Sequence, residues 1–243
     1  MTSIPIFPPL LTGEAVTGQI DPFEKAISLA TLGCDGGTIV YNISVEYLRA
    51  AFVFAPEVTL EKAATMMAAC GIGYSNALGA LAPPEVPVHL DWHGGILVNG
   101  ATCGALKMAA SHSNPEDMPD WLVVGITIPL VPLNDYGGGD TPDQTTLMQE
   151  GCIEVDPVEL LESWSRHSLV WINRWVDDGI APLHAEWRTK AHGVGDDITT
   201  THNGQTIQGT FLGIDEAFGM LIRTGTTTIV KPLTALLVNG ETQ

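Results

Sequence analysis

Positive charge is scarce in this chain. Ten lysines and arginines stand against twenty-eight aspartates and glutamates, for a formal net charge of −18. Nucleic acid and anionic lipid both bind through basic surface, so neither a nucleic acid nor a membrane is expected as a partner. No apolar run approaches the ~20 residues of a membrane span. The N-terminus also lacks the basic-then-apolar layout of a signal peptide. Cysteine is sparse: Cys34, Cys70, Cys103 and Cys152 lie far apart with no CxxC pair, which predicts reduced thiols in a cytoplasmic protein. Apolar residues, by contrast, make up 45% of the 243, enough to fill one large domain or two unequal ones.

The first twenty residues are punctuated by Pro and Gly and read as extended. Asp21-Pro22 is a helix start, with Asp as cap and Pro at the first helical position, so 23–32 should be helical. Strands are expected over 38–43, 48–54 and 121–130, and helices over 59–80, 157–176 and 182–191. The Pro-, Gly- and Asp-rich stretch 131–143 reads as a mobile surface loop. After Gly193 the composition changes to short β segments with Thr, Gly and Asn turns. These suggest a small barrel of about fifty residues. The boundary falls near Val194, dividing the chain into 1–193 and 194–243.

The densest local information lies in 86–107, VPVHLDWHGGILVNGATCGALK. Asn99-Gly100 between two apolar runs is a hairpin turn, because both positions need φ > 0. His89, Asp91 and His93 at i, i+2 and i+4 would share one face of the preceding strand and give it a polar wall. On a straight strand their Cβ atoms would spread over about 13 Å, too far for one metal ion. A pair of them with a distant third ligand such as His112 could hold one, but no metal is assigned. A wall that hydrogen-bonds a small ligand fits the pattern better. Trp92 could line such a pocket, and Gly94 and Gly95 would let backbone amides approach a ligand. Gly104, inside a strand, marks close approach of another group. Lys107, the one cation in this stretch, would share a strand face with residues 101, 103 and 105.

The ordered pieces LDWHGGILVNGATCGALK, WLVVGITIPL, LLESWSRHSLVWINRW…PLHAEWRTKA and GTFLGIDEAFGMLIRTGTTTIVKP resemble the biotin protein ligase and lipoate ligase superfamily, in particular the class with a small SH3-like C-terminal barrel. The resemblance implies an α+β fold. A mixed β-sheet flanked by helices, like that of class II aminoacyl-tRNA synthetases, would carry the barrel as an appendage. It also implies ATP-driven activation of biotin or a lipoyl-type acid, then transfer to a lysine of a carrier domain. Gly125, in the strand matching VVGIGINV, joins the ligand-binding candidates. Biotin, lipoate and ATP are implied as ligands by resemblance alone.

Several positions depart from the family pattern. Its Arg- and Gly-rich loop is matched only by 33–37, GCDGG, which has no cation. Asp91 stands where the family has lysine before its Trp, and His93-Gly94-Gly95 replaces Pro-Asn-Asp. The hairpin lysine falls at Ala101 or Thr102, and the Asn ending the later strand falls at Pro129. Losing one group that stabilises transition-state charge typically costs about 2.7–4 kcal/mol of barrier, so the expectation is a relative without standard ATP-dependent ligation. Cys152, before a helix, loosely resembles the acyl-accepting cysteine of octanoyltransferases, and Lys107 and Cys152 are the catalytic candidates. Glu150 and Glu154 beside Cys152 would oppose thiolate formation. Three readings follow: a binder of a small carboxylic acid or its adenylate, an ATP-independent octanoyl- or lipoyl-type acyltransferase, or a module that docks a biotinyl or lipoyl carrier domain. A homodimer is a further candidate assembly.

Overall fold

The computed structural model describes residues 4–132, 143–202 and 204–238. Much of the 131–143 stretch expected to be a mobile loop lies outside the described residues. The strands β1 (Thr12–Ala15), β2 (Thr38–Ile43), β3 (Tyr47–Phe54), β4 (Val88–Leu90), β5 (Gly95–Val98), β6 (Ala101–Ala110) and β7 (Leu122–Pro129) form one sheet. Their order is β1-β2-β3-β7-β6-β5-β4. β1 runs parallel to β2 and every other neighbour pair is antiparallel, so the sheet is mixed.

Two unlike layers cover the sheet. On one face lies α3 (Met66–Leu81), backed by α4 (Pro157–Asp178). α3 is apolar nearly all round, so it buries its whole circumference between sheet and α4. Its glycines allow the close approach: a Cβ on Gly73 would meet the Ser168 backbone nitrogen of α4 at 2.8 Å. The Trp164 indole N–H donates to the Cys70 carbonyl at 3.0 Å across the same contact. The helical spacing of Trp164, Trp171 and Trp175 therefore reflects packing: Trp164 and Trp171 are buried in the core and Trp175 is packed at its edge.

Among the described residues the other face carries only α1 (Pro22–Thr31). The Asp21 carboxylate caps it by accepting from the Phe23 N–H at 2.8 Å, as the Asp-Pro start predicts. α1 covers a small cluster that includes Val40, Ala51, Val53, Ala109 and Val123. Among the described residues the remainder of that face is open. The helix expected over 59–80 is interrupted, with α2 (Leu60–Ala63) preceding α3. Thr65 tightens the junction by donating its hydroxyl to the Lys62 carbonyl.

After α5 (Ile180–Lys190) the chain forms a separate antiparallel sheet. Its strands are β8 (Asp197–His202), β9 (Gln205–Ile214), β10 (Met220–Thr224) and β11 (Thr227–Lys231), in the order β11-β10-β9-β8. This small C-terminal sheet stands where the barrel is expected. Among the described residues no helix is long and apolar enough to cross a membrane.

Two alanine substitutions on α3 separate packing from helix propensity. Gly73→Ala should lower stability by about 1–3 kcal/mol, because the methyl has no room against α4. In Gly79→Ala the added methyl meets nothing within 4 Å, and the variant should gain about 0.5–1 kcal/mol. Guanidinium unfolding midpoints check both. Equal effects would refute the close helix contact.

Candidate functional site on the open face of the sheet

The pairing registers place the side chains of the open face in rows. Asn42 lies opposite Arg49, Arg49 opposite Thr127, and Thr127 opposite Ala105. The next row runs Val40, Ala51, Gly125, Lys107. Arg49 and Lys107 are the only lysine or arginine in the seven strands of this sheet. Both point to the open face, with their Cα atoms about 12 Å apart by strand geometry. Between them the floor is small, made by Thr127 and the exposed Ala105.

The two cations are held differently. The Lys107 amine lies 3.2 Å from Asp21 Oδ2 and 4.2 Å from the centre of the Phe23 ring. Asp21 therefore serves both the helix cap and the lysine. Arg49 stacks over Tyr47 at 4.7 Å and makes no ion pair among the described residues. An unpaired guanidinium over a small polar floor can accept a carboxylate or phosphate in a forked geometry. Arg49 was missed from sequence. Its signal was a single charge within an otherwise apolar strand, on the same alternation as Tyr47 and Ala51.

Gly125 lies on this face but under Phe23, which is 3% exposed. A Cβ there would sit 2.5 Å from the Phe23 ring. The glycine makes room for α1, whereas Ala105 is exposed and Thr127 half-buried on the same face.

The hairpin residues lie elsewhere. β4 ends at Leu90, so the alternation of His89, Asp91 and His93 on one face breaks off. The Asp91 N–H donates to the Gly95 carbonyl at 2.9 Å, and the Asp91 carboxylate accepts from the Gly95 N–H at 2.9 Å. Asp91 is thus committed to closing its own turn. Trp92 is 3% exposed. Its indole N–H donates to the Phe218 carbonyl at 2.8 Å, and the Lys231 amine sits 5.4 Å from its ring. It joins the hairpin to the small sheet and, with Asp91, Gly94 and Gly95, lines only a small cavity of about 20 Å³. His93 is exposed at the edge of the Trp92 ring. Gly94, at φ 96°, leaves no space for a Cβ beside the Leu106 carbonyl, and Gly104, at φ 131°, none beside the Thr127 carbonyl. These glycines serve chain packing, as does Gly95, whose Cβ would run into the Asp91 carboxylate. His89 lies 6.3 Å from the His192 ring, and its Nδ1 is buried without a hydrogen-bond partner.

Cys152 gives the nucleophile reading no geometric support. It is 2% exposed and belongs to the core cluster with Cys103 and Tyr74, on the helical side of the sheet. Burial and Glu150 push its thiol up, and burial pushes Cys103 up to about 12. A thiol that resists ionisation is a poor acyl acceptor.

ATP fits the residues on the open face poorly. A triphosphate calls for several converging donors, whereas this face offers Arg49 and an already paired Lys107. The 33–37 loop follows the other end of α1, about 15 Å along the helix from the Asp21 cap. Its Gly37 pairs with Val53 rather than lying over the cations.

Thiol accessibility checks this placement. At pH 8, a disulfide reagent such as DTNB should label native protein at Cys34 alone, with Cys70, Cys103 and Cys152 reacting only after unfolding. Rapid labelling of Cys152 in the native state would overturn the assignment.

Comparison with known proteins agrees with this architecture. Residues 7–189 match the model of the biotin/lipoate A/B protein ligase family, and residues 194–239 match a domain of unknown function, DUF4444. The biotin--[acetyl-CoA-carboxylase] ligase of Paracoccus denitrificans is 25% identical over 174 residues, 70% of this chain and 71% of that protein. A crystal structure of a biotin protein ligase-like protein of unknown function from Silicibacter sp. tm1040 is 54% identical. It covers 97% of this chain and 100% of its own, with a TM-score of 0.89. Biotin protein ligase from Aquifex aeolicus, in complex with biotin and ATP, shares the fold at 18% identity and a TM-score of 0.68, over 91% of this chain and 94% of its own. The chain belongs to the biotin/lipoate A/B protein ligase family.

Proposed function

We propose that the chain binds a small carboxylic acid, or an acyl-adenylate-like derivative of one, on the open face of its main sheet. In this reading Arg49 and Lys107 hold the anion and the chain does not run standard ATP-dependent ligation. One observation carries it. In a chain with so few cations, the only two in the seven strands share the face that the described residues leave uncovered, and they flank a small-residue floor. Arg49 supplies a free fork. Lys107 supplies a point charge that the ligand must share with Asp21. Thr127 between them can donate its hydroxyl. The apolar part of the acid would lie over Ala105, beside the Phe23 ring.

Several features argue against the full ligase reaction. Asp91 reverses the charge of the family's lysine, and Gly94 and Gly95 replace its Asn-Asp. The hairpin position of the second lysine is held by Ala101 or Thr102. The acyltransferase alternative would need Cys152 or Cys103, and both are buried in the core cluster on the opposite side of the sheet from the cations. Docking of a biotinyl or lipoyl carrier domain, and a homodimer, remain compatible with acid binding and need no reacting group.

The test is a thermal-shift panel with octanoate, lipoate, biotin, AMP and ATP, each acid paired with its primary amide. At least one acid should raise Tm while its amide does not, and ATP should add little. Arg49→Gln should weaken that acid at least tenfold, about 1.4 kcal/mol, and Lys107→Met should weaken it less. No shift with any acid, or a shift unchanged in both variants, would sink the proposal. Intact-mass detection of a thioester after incubation with octanoyl carrier protein would favour the acyltransferase instead.

A further inference from the structure

On the helical side of the sheet, far from the cation-bearing face, a groove of about 880 Å³ opens where the end of β3, α2, the end of α4 and the small sheet meet. Its volume lies within the range of natural ligand pockets. The floor is apolar: Val58 and Met66 line one side, Ile172, Trp175 and Val176 a second, and Ile180 the end. Val176, among the lining residues, is 67% exposed.

The rim carries the opposite character. Glu57, Glu61 and Glu216 stand around it with Lys62 as the one cation. α4 also terminates here, with Asp177 and Asp178 in its last turn and no basic residue. Carboxylates at a helix C-terminus are repelled by the carbonyl end of the helix dipole, so this placement works against stability. Arg174 relieves Asp178 at 3.6 Å, whereas Asp177 forms no ion pair among the described residues. Three carboxylates and one lysine among the described residues thus line an apolar trough, and the acidic end of α4 lies beside it.

One wall is preset. It comes from the β9–β10 turn, where the Asp215 carboxylate accepts from the Ala217 N–H at 3.0 Å and the Gly219 N–H at 2.7 Å. Trp92 holds the Phe218 carbonyl of the same turn. A wall fixed in advance loses little freedom when something binds against it.

We propose that this groove docks a cationic peptide segment of a partner protein, one in which apolar side chains are flanked by lysine or arginine. The apolar side chains would fill the trough between Met66 and Trp175, and the flanking cations would answer Glu57, Glu61, Glu216 and the end of α4. An acidic or purely polar segment meets either repulsion or an unfilled apolar floor. The groove is independent of the acid-binding face, and neither proposal rests on the other.

The test uses the full chain labelled with ¹⁵N and follows the Trp175 indole N–H, assigned by its loss in Trp175→Phe. Three capped tetrapeptides are titrated: Lys-Leu-Phe-Lys, Lys-Ser-Ser-Lys and Glu-Leu-Phe-Glu. The first should give a saturable shift of the Trp175 signal, and the other two should not at the same concentrations. Glu61→Lys should weaken the first peptide at least tenfold and Val176→Ser at least threefold. The remaining indole signals, which report folding, should stay in place. The proposal is overturned if Lys-Leu-Phe-Lys leaves Trp175 unmoved or if both variants bind it as well as the parent. An equal shift from Lys-Ser-Ser-Lys would reduce the effect to attraction by a chain of net charge −18, and an equal shift from Glu-Leu-Phe-Glu would remove the role of the rim. Either also overturns it.

Discussion

The burial of α3 on every side is the constraint from which the rest of the architecture follows. A helix with Met, Ala, Cys, Ile and Leu around its whole circumference cannot meet water, so it needs a layer above and a layer below. The sheet supplies one and α4 the other, and the glycines of α3 let α4 approach to backbone distance. Those demands commit one face of the sheet entirely to packing. The polar and charged side chains of the strands are then left to the opposite face, where α1 is too short to cover all of it.

This asymmetry explains why the chemistry-bearing residues separate as they do. Cys70, Cys103, Cys152 and Tyr74 lie on the committed side, where burial raises their proton affinity and keeps them neutral. Arg49 and Lys107 lie on the uncommitted side, where a charged group keeps its hydration until something displaces it. Two such environments on one sheet, separated by its thickness, make a shared reaction between Cys152 and Lys107 geometrically unattractive. They also leave the cation-bearing face free to diverge without disturbing the core.

Much of the architecture was legible in the sequence because it is written in local signals. Asp21-Pro22 marked α1, the near-continuous apolar run before Pro129 marked β7, and the composition change after Gly193 marked the onset of the small β unit. The site was read less well, for a physical reason. Period-two alternation says which residues share a face only while a strand continues, and β4 stops at Leu90. Asp91 then turns inward onto its own loop, and Trp92 leaves for the small sheet. Neither event has a local signature, since the partner of Trp92 lies at Phe218, far along the chain. Arg49 was overlooked because one charge in an apolar strand has meaning only once the register sets it across from Thr127 and two strands from Lys107. Gly125 was a ligand-binding candidate by resemblance, and only the tertiary position of Phe23 reveals that the glycine is covered.

Asp21 holds two tasks in one side chain, and they differ in what they ask of it. Capping α1 requires only a short acceptor oxygen, which asparagine supplies as well as aspartate. Neutralising Lys107 requires the negative charge itself. The two requirements can therefore be uncoupled by exchanging one carboxylate oxygen for an amide, leaving the helix start intact while the amine loses its counter-ion. In evolutionary terms the open face sits one conservative replacement away from a more strongly anion-seeking surface, reachable without passing through an unstable fold.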